Sequence, residues 1–461
     1  MSEALNSPEA KSRRFRPYSK YKDSGIEWLG DIPANWEIVP LKHLCSRSAV
    51  YGANEPAEAY RDQGVRFLRT TDISDSGDLV GGGVYVSLDA VAEYLLQTGD
   101  LLFSRSGTIG RSFLYDSVRH GPCAYAGYLV RFVPGPRLLP LYGFFLTKSQ
   151  QFEQWAEIMT ISSTIGNLNA QKYANMPCPV PPFPEQSKIA LFLGRETAKI
   201  DALIEKNERL IELLQEKRTA LITQAVTKGL DPTVPIKDSG VEWLGEIPAH
   251  WEVSSLKRRA KRIQTGTTPP TGETRYYENG VIPWYGPGSF AEDLPLQKPV
   301  KFISESALHD GVARVFEADS ALIVTIGATI GKVAYMEHPG SCNQQITCVT
   351  FDIRQVFPRY GAYQLKRLEP VLRGRAPNTT LPIIDQEEVG SLSFAAPLFS
   401  EQEAIVVFLD RETAWIDALV AKIQEAIDRL KEYRTALISA AVTGKIDVQS
   451  EYENYSEQTL F

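Results

Sequence analysis

Two short runs carry residue types able to hold a phosphate or a base. Gly99-Asp100-Leu101-Leu102-Phe103-Ser104-Arg105-Ser106-Gly107-Thr108-Ile109-Gly110-Arg111 is answered by the run from Ala318 through Thr329-Ile330-Gly331 to Lys332. Each ends in Thr-Ile-Gly and a basic residue after an apolar, strand-like stretch. A glycine turn of this kind brings backbone N–H groups, a hydroxyl and a cation to one place, the chemistry of contact with a phosphate or a base edge. The candidate contacts are Arg105, Ser106, Thr108 and Arg111 in the first run, and Thr329 and Lys332 in the second. A tight turn between two strands would use the same glycines, so the motif alone leaves both readings open.

No catalytic constellation accompanies these turns. Ser106-Gly107-Thr108-Ile109-Gly110-Arg111 does not satisfy the phosphate-loop pattern G-x-x-x-x-G-K-[ST]. Val180-Pro181-Pro182-Phe183 lacks the polar residue that an amino-methyltransferase places before Pro-Pro-aromatic. There is no G-x-G-x-x-G after a strand, no His-Glu-x-x-His and no nucleophile elbow. An independent enzyme is therefore not expected. Cys45, Cys123, Cys178, Cys342 and Cys348 are scattered without Cys-x-x-Cys spacing, which argues against a metal site and for free thiols in a reducing cytoplasm. No run approaches a membrane span, and the first residues lack an apolar export core.

The net charge of −7 argues on its face against nucleic acid. The basic residues are nevertheless clustered: in a basic tail over residues 1–21, at Lys257, Arg258, Arg259, Lys261 and Arg262, and at Lys366, Arg367, Arg373 and Arg375. Local patches of this kind can hold phosphate on an acidic protein, although charge runs are usually solvated faces. Acid gathers in the tail at 447–461.

The elements that must position the two turns come in duplicate. The stretch from Glu185, EQSKIALFLGRETAKIDALIEKNERLIELLQEKRTALITQAVTKG, returns from Glu401 as EQEAIVVFLDRETAWIDALVAKIQEAIDRLKEYRTALISAAVTGK. KDSGIEWLGDIPANWE from Lys22 returns as KDSGVEWLGEIPAHWE from Lys237. Repeats of this length mark a tandem duplication. Each long copy predicts a helix with a heptad-like apolar seam, which runs through Ile200, Leu203, Leu210, Leu214 and Leu221 in the first and Ile416, Leu419, Ile423, Leu430 and Leu437 in the second. Pro184 and the Ser400/Glu403 pair supply start signals, and Gly229 and Gly444 supply stops. Unbroken, each rod would measure roughly 65 Å, with Gly194 a place where the first could bend. The obvious partner for each seam is the other copy, packed antiparallel, because a whole domain lies between them. Aspartate at Leu203 or Leu419 is expected to dissolve the pair.

The organisation predicted is α+β: two mixed α/β heads separated by two long antiparallel coiled-coil helices, with pseudo-two-fold symmetry. Residues 22–184 hold a lead-in motif and the first head, 185–229 the first long helix, 230–400 a linker, the second lead-in and the second head, and 401–446 the second long helix. Strands are expected at Val65–Leu68, Val84–Val86, Leu101–Phe103 and Tyr128–Phe132, with helices near Leu88–Leu96 and Leu141–Ile158. The helices are closely similar while the heads diverge, which suggests that two different things are read.

This layout resembles the specificity subunit of type I restriction–modification enzymes, from about Lys22 to Lys445. The pieces that carry the resemblance are EWLGDIP and EWLGEIP, the two Thr-Ile-Gly-basic turns, Gly266-Thr267-Thr268-Pro269 with Ile282-Pro283-Trp284 downstream, and Asn343-Gln344-Gln345-Ile346. Ser163-Thr164-Ile165 with Asn167-Leu168, and Asn378-Thr379-Thr380-Leu381, precede the proline-rich Glu-Gln start of each helix. The resemblance implies a non-catalytic DNA reader with two target recognition domains, one for each half of a split, asymmetric duplex sequence. It also implies helices that space the domains and dock two modification subunits, with restriction/translocase subunits joined through these. S-adenosylmethionine, ATP and Mg would belong to those partners, and none to this chain. Thr267, Thr268, Asn343, Gln344 and Gln345 are types that read base edges, and Ser163, Thr164, Asn167, Trp284, Asn378 and Thr379 join them as candidate DNA contacts. The first head lacks the Gly-Thr-Thr-Pro and Asn-Gln-Gln strings, and carries Tyr51-Gly52 and Tyr125-Ala126-Gly127-Tyr128 near the equivalent places. Half-sites about one helical turn (~10 bp) apart are expected. A coiled-coil scaffold whose heads bind protein or glycan is the alternative.

Overall fold

A computed structural model describes residues 15–106, 109–161, 167–291, 293–375 and 382–449. The chain divides into two compact bodies, residues 1–208 with 424–461, and residues 209–423. Both long helices are continuous, Phe183–Lys228 and Phe399–Val442, and each gives its first half to one body and its second half to the other. Gly194 does not interrupt the first helix. The second begins at Phe399, which places Ser400 inside its first turn rather than at a cap. Gly229 and Gly444 close the helices with φ of 73° and 70°, a left-handed conformation that costs glycine least.

Within each body the two helices run antiparallel. In the first, Arg434 meets Asp201 at 2.9 Å, and Gly444 at the end of the second helix lies against Trp36, which bonds Glu185 at the start of the first. In the second body, Arg218 meets Asp417 at 3.2 Å, and Gly229 lies against Trp251 and Glu401. The seam differs in phase from the sequence reading. Ile200, Leu214, Ile416, Ile423 and Leu437 are buried, and Leu221, Leu419 and Leu430 are half-buried, but Leu203 and Leu210 are 49% and 42% exposed. Their places are taken by Ile204 and Ile211. A seam stepping four, three, four from Ile200 satisfies the same alternation as one stepping three, four, three, so spacing alone cannot choose between them.

The heads have diverged in sequence but share one topology. Each contains an antiparallel four-stranded sheet, in spatial order Val50–Tyr51, Leu129–Phe132, Leu101–Ser104, Ser112–Leu114 in the first and Ala260–Thr265, Ile346–Phe351, Ser320–Val324, Val333–Met336 in the second. A three-stranded sheet flanks it: Val84–Val86, Val65–Leu68 and Cys123–Tyr125, or Lys301–Ile303, Ile282–Tyr285 and Ser341–Cys342. In both, the last of these strands pairs parallel to the middle one. The central strands Leu101–Ser104 and Ser320–Val324 are buried along their whole length, so both faces are covered and their sequence shows a continuous apolar run rather than alternation. Each head also contains Pro-x-Tyr-Gly at a helix start, Pro140–Gly143 and Pro358–Gly361, whose tyrosine hydroxyl donates to Pro179 O or Ala395 O at 2.9 Å. All five cysteines are unpaired.

The repeated Glu-Gln that opens each long helix bonds it to its surroundings. Trp36 Nε1 donates to Glu185 at 2.9 Å and Trp251 Nε1 to Glu401 at 3.0 Å. Gln186 is buried, takes Leu139 N–H and donates to Arg137 O and Pro181 O. Gln402 makes the same three bonds, with Phe357 N–H, Gln355 O and Pro397 O.

Ile200→Asp or Ile416→Asp is expected to cost about 3 kcal/mol or more, because each buries a charge with no partner. Leu203→Asp, at an exposed position, is expected to stay within about 0.5 kcal/mol of the parent. Denaturant melts of the three variants, side by side, check the seam.

Candidate nucleic-acid interface

In both heads the segment carrying the Thr-Ile-Gly run, 105–111 in the first and 325–332 in the second, connects the last two strands of the four-stranded sheet. Ser104 N–H bonds Arg111 O, and Val324 N–H bonds Lys332 O, each at 2.8 Å, and the second turn is one residue longer. Gly110 and Gly331 turn the chain at φ of 84° and 88°. Both the tight-turn reading and the contact reading are therefore compatible with where these glycines lie.

A second set of backbone bonds places equivalent positions of the two heads in register. Arg105 N–H bonds Tyr128 O at 3.0 Å and Leu168 N–H bonds Arg105 O at 3.0 Å. In the second head, Thr325 N–H bonds Gln345 O at 2.8 Å and Ile384 N–H bonds Thr325 O at 2.9 Å. Gly52 and Gly266 occupy one place: a Cβ on either would sit 2.1 Å from the carbonyl of Tyr125 or Cys342. The ring of Tyr51 accepts Ala170 N–H through its hydroxyl at 2.9 Å, and Gln386 donates to Thr265 at 2.7 Å in the matching position. One scaffold thus carries Tyr51, Arg105 and Tyr128 in the first head, where the second carries Thr265, a buried Thr325 and Gln345.

The second head brings most of its candidates together. Trp284 is buried, and its indole N–H donates to Thr267 O at 3.0 Å, so it positions the Thr267–Thr268 loop rather than facing outward. Thr268 donates to Gln344, which is exposed. Asn343 is buried, accepts Gln345 N–H at 3.0 Å and donates to the Gln345 side chain at 2.9 Å. Of the Asn-Gln-Gln string, Asn343 therefore shapes the loop while Gln344 lies at the surface. Thr329 is exposed on the neighbouring turn and Lys332 is half-buried.

In the first head, the guanidinium of Arg105 lies 4.9 Å from the Tyr51 ring centroid, and Tyr128 is 63% exposed. Ser106 and Asn167 are half-buried, and Asn167 Oδ1 has no hydrogen-bond partner among the described residues. Arg111 is held inward, donating to Asp75 at 2.6 Å and to Ile73 O at 2.9 Å. Thr108, Ser163, Thr164, Asn378 and Thr379 lie outside the described residues. Tyr51 and Tyr128 were not among the sequence candidates as contacts; their position opposite Gly266 and Gln345 was the available signal.

The basic clusters are partly committed within the protein, while Lys257, Arg258 and Arg373 are exposed. Arg259 bonds Glu252, Ser254 and Gln355, Lys261 pairs with Glu317, and Arg367 stacks on Trp243 at 4.9 Å. Lys366 is buried and pairs with Glu369 at 2.9 Å, bracing Val333 just after the second turn. Its counterpart Lys148 donates to Ser112 O and Asp75 O just after the first turn, but Gln151 stands where Glu369 would be, with its buried Oε1 unpartnered among the described residues. Burial pushes the Lys148 ammonium down to about 7, Arg434 and Arg111 add to this, and Asp75 and Asp78 oppose it.

This is a family of two-headed, two-helix architecture, and the comparisons agree. The model of the type I restriction modification DNA specificity domain matches residues 33–214 and again 248–429, so the chain belongs to that family. It is 23% identical over 436 residues to the putative type I restriction enzyme MjaX specificity subunit of Methanocaldococcus jannaschii, covering 92% of this chain and 96% of that protein. It is 26% identical over 211 residues to the EcoR124I/EcoR124II specificity subunit of Escherichia coli, covering 44% and 48%. Among solved structures, a chain from a study of complex assembly and conformational transition of the type I R-M system shares the fold with a TM-score of 0.63 at 18% identity, over 89% of this chain and 98% of that one. No helix of the described residues is long and apolar enough to cross a membrane.

Gly266→Ala is expected to displace the Thr267–Thr268 loop from the Asn343 turn and to abolish recognition by the second head while leaving the first intact, as read by binding to duplexes varied in one half at a time. Lys148 folds with a lowered pKa, so the unfolded chain holds a proton that the native chain has lost, and this group makes stability rise with pH between about 7 and about 10. Gln151→Glu is expected to flatten that rise, checked by thermal midpoints across the same pH range.

Proposed function

We propose that this chain is the sequence-reading subunit of a type I restriction–modification complex, with each head reading one part of an interrupted, asymmetric duplex target. The observation that carries this is the shared scaffold with unlike side chains: Tyr51, Arg105 and Tyr128 in one head stand where Thr265, Thr325 and Gln345 stand in the other. Equal backbones with unequal reading groups are what a single polypeptide needs to recognise two different half-sites. Direct readout requires amide, hydroxyl and guanidinium groups at base edges, while phosphate contacts set register. The second head offers Gln344 and Thr268 for this, with Thr329 and Lys332 nearby, and the first offers Arg105 with Ser106 and Asn167.

The antiparallel helix pair serves in this reading as spacer and as docking surface for two modification subunits, with restriction/translocase subunits attached through them. Catalysis belongs to those partners, which supply S-adenosylmethionine, ATP and Mg chemistry. This chain contributes the choice of sequence and functions in the cytoplasm with its DNA.

Exchanging residues 36–184 for the corresponding head of another family member is expected to change one half of the methylated sequence and leave the other half as it was. Change in both halves would refute modular reading. A mobility shift of the assembled complex on duplex DNA across a salt series is expected to weaken steeply with salt. A flat response would favour a scaffold whose heads bind protein or glycan.

A further inference from the structure

We infer that Arg105, held over the Tyr51 ring, selects guanine at one position of the first half of the DNA target, an inference that rests on the reading of this chain as a DNA-reading subunit. Five other guanidiniums of the first head are paired with carboxylates. Arg69 is bidentate to Asp72, Arg111 is bonded to Asp75 and Ile73 O, Arg119 reaches Asp78, Arg131 lies 3.7 Å from Asp100, and Arg137 pairs with Glu37. Arg105 differs. Among the described residues its guanidinium is paired with no carboxylate, and it lies over the Tyr51 ring, 4.9 Å from the centroid.

The orientation of that face is set from behind. Tyr51 Oη accepts the Ala170 N–H at 2.9 Å, and Gly52 packs against the Tyr125 and Ala126 carbonyls too closely for any side chain. A cation–π contact with the ring restrains the guanidinium while leaving its outer N–H groups able to donate as a fork. A planar fork matches two acceptors side by side, and guanine O6 and N7 are the pair of that kind on a major-groove edge. The second head has no guanidinium at this place: Thr325 is 2% exposed there and Thr265 replaces the ring. The same backbone position therefore selects guanine in one head and not in the other.

The test is methylome sequencing of a host that expresses the chain with its modification subunits, as parent, Arg105→Lys and Arg105→Ala. The parent is expected to mark sites with guanine at a first-half position. Both variants are expected to lose that preference by about 5- to 150-fold, the discrimination of one bidentate pair, so that the letter becomes degenerate. The second half should stay unchanged in the same molecules, which also certifies that the variants fold. If the letters persist while Arg105→Ala, but not Arg105→Lys, weakens binding uniformly and makes the salt slope shallower by about 1, Arg105 is a phosphate contact and the guanine assignment is overturned. If the parent complex binds duplex DNA but marks no defined sequence, the subunit reading itself fails and the assignment falls with it.

Discussion

The constraint on which the rest of the structure depends is the pair of side chains that opens each long helix. The carboxylate of Glu185 or Glu401 accepts an indole N–H from the lead-in motif, and the amide of Gln186 or Gln402 uses its oxygen and its nitrogen on the backbone of the head. Two neighbouring residues thus join three parts of one body: helix, head and lead-in. Both amides are almost completely buried, so every bond they forgo would leave a desolvated backbone group on the other side. That is why Glu-Gln recurs with Trp-Glu in both halves while the heads between them share so little sequence. Asn35 and Tyr18 add a second and a third donor to Glu185, and His250 a second to Glu401, so each clamp is elaborated with different residues.

With the frame held this way, the heads are free to vary at the surface and constrained beneath it. The bonds that set Arg105 against Tyr128, and Thr325 against Gln345, are made by backbone and do not depend on which side chain is present. The glycine at Gly52 or Gly266 is required by a carbonyl two ångströms from where a Cβ would stand. Side chains projecting from this lattice can therefore be aromatic and cationic in one head and amide and hydroxyl in the other. Among the matched positions, identity changes both at the surface, Tyr128 against Gln345, and beneath it, Arg105 against the buried Thr325, while the backbone bonds are kept.

Electrostatics is handled unevenly between the halves. Lys366 has Glu369, whereas Lys148 has only carbonyl oxygens and the ring of Phe144. With no carboxylate bonded to it among the described residues, the buried ammonium loses its proton more readily, Asp75 and Asp78 offsetting this only in part. In the basic clusters Arg259, Lys261 and Arg367 are spent on internal partners, whereas Lys257, Arg258 and Arg373 stay exposed.

The repeats made the tandem organisation, the two long helices, the glycine stops and the positions of most strands of the first head legible from sequence, because period and capping are local properties of the chain. The same residues left the seam undecided by one step at Leu203 and Leu210, since two alternations of three and four fit the same leucines and isoleucines. The shared topology of the heads was hidden as well: their strands are short and buried on both faces, so little alternation survives to be compared. Which candidates face outward was decided only by packing. Trp284 and Asn343 turned inward to shape a loop and Arg111 was drawn to Asp75, while Tyr51 and Tyr128 became prominent through a backbone register that joins residues far apart in the chain. The sequence by itself determined that there are two heads on two rods; the tertiary structure decided which side chains those heads present, because that depends on hydrogen bonds between segments no local pattern connects.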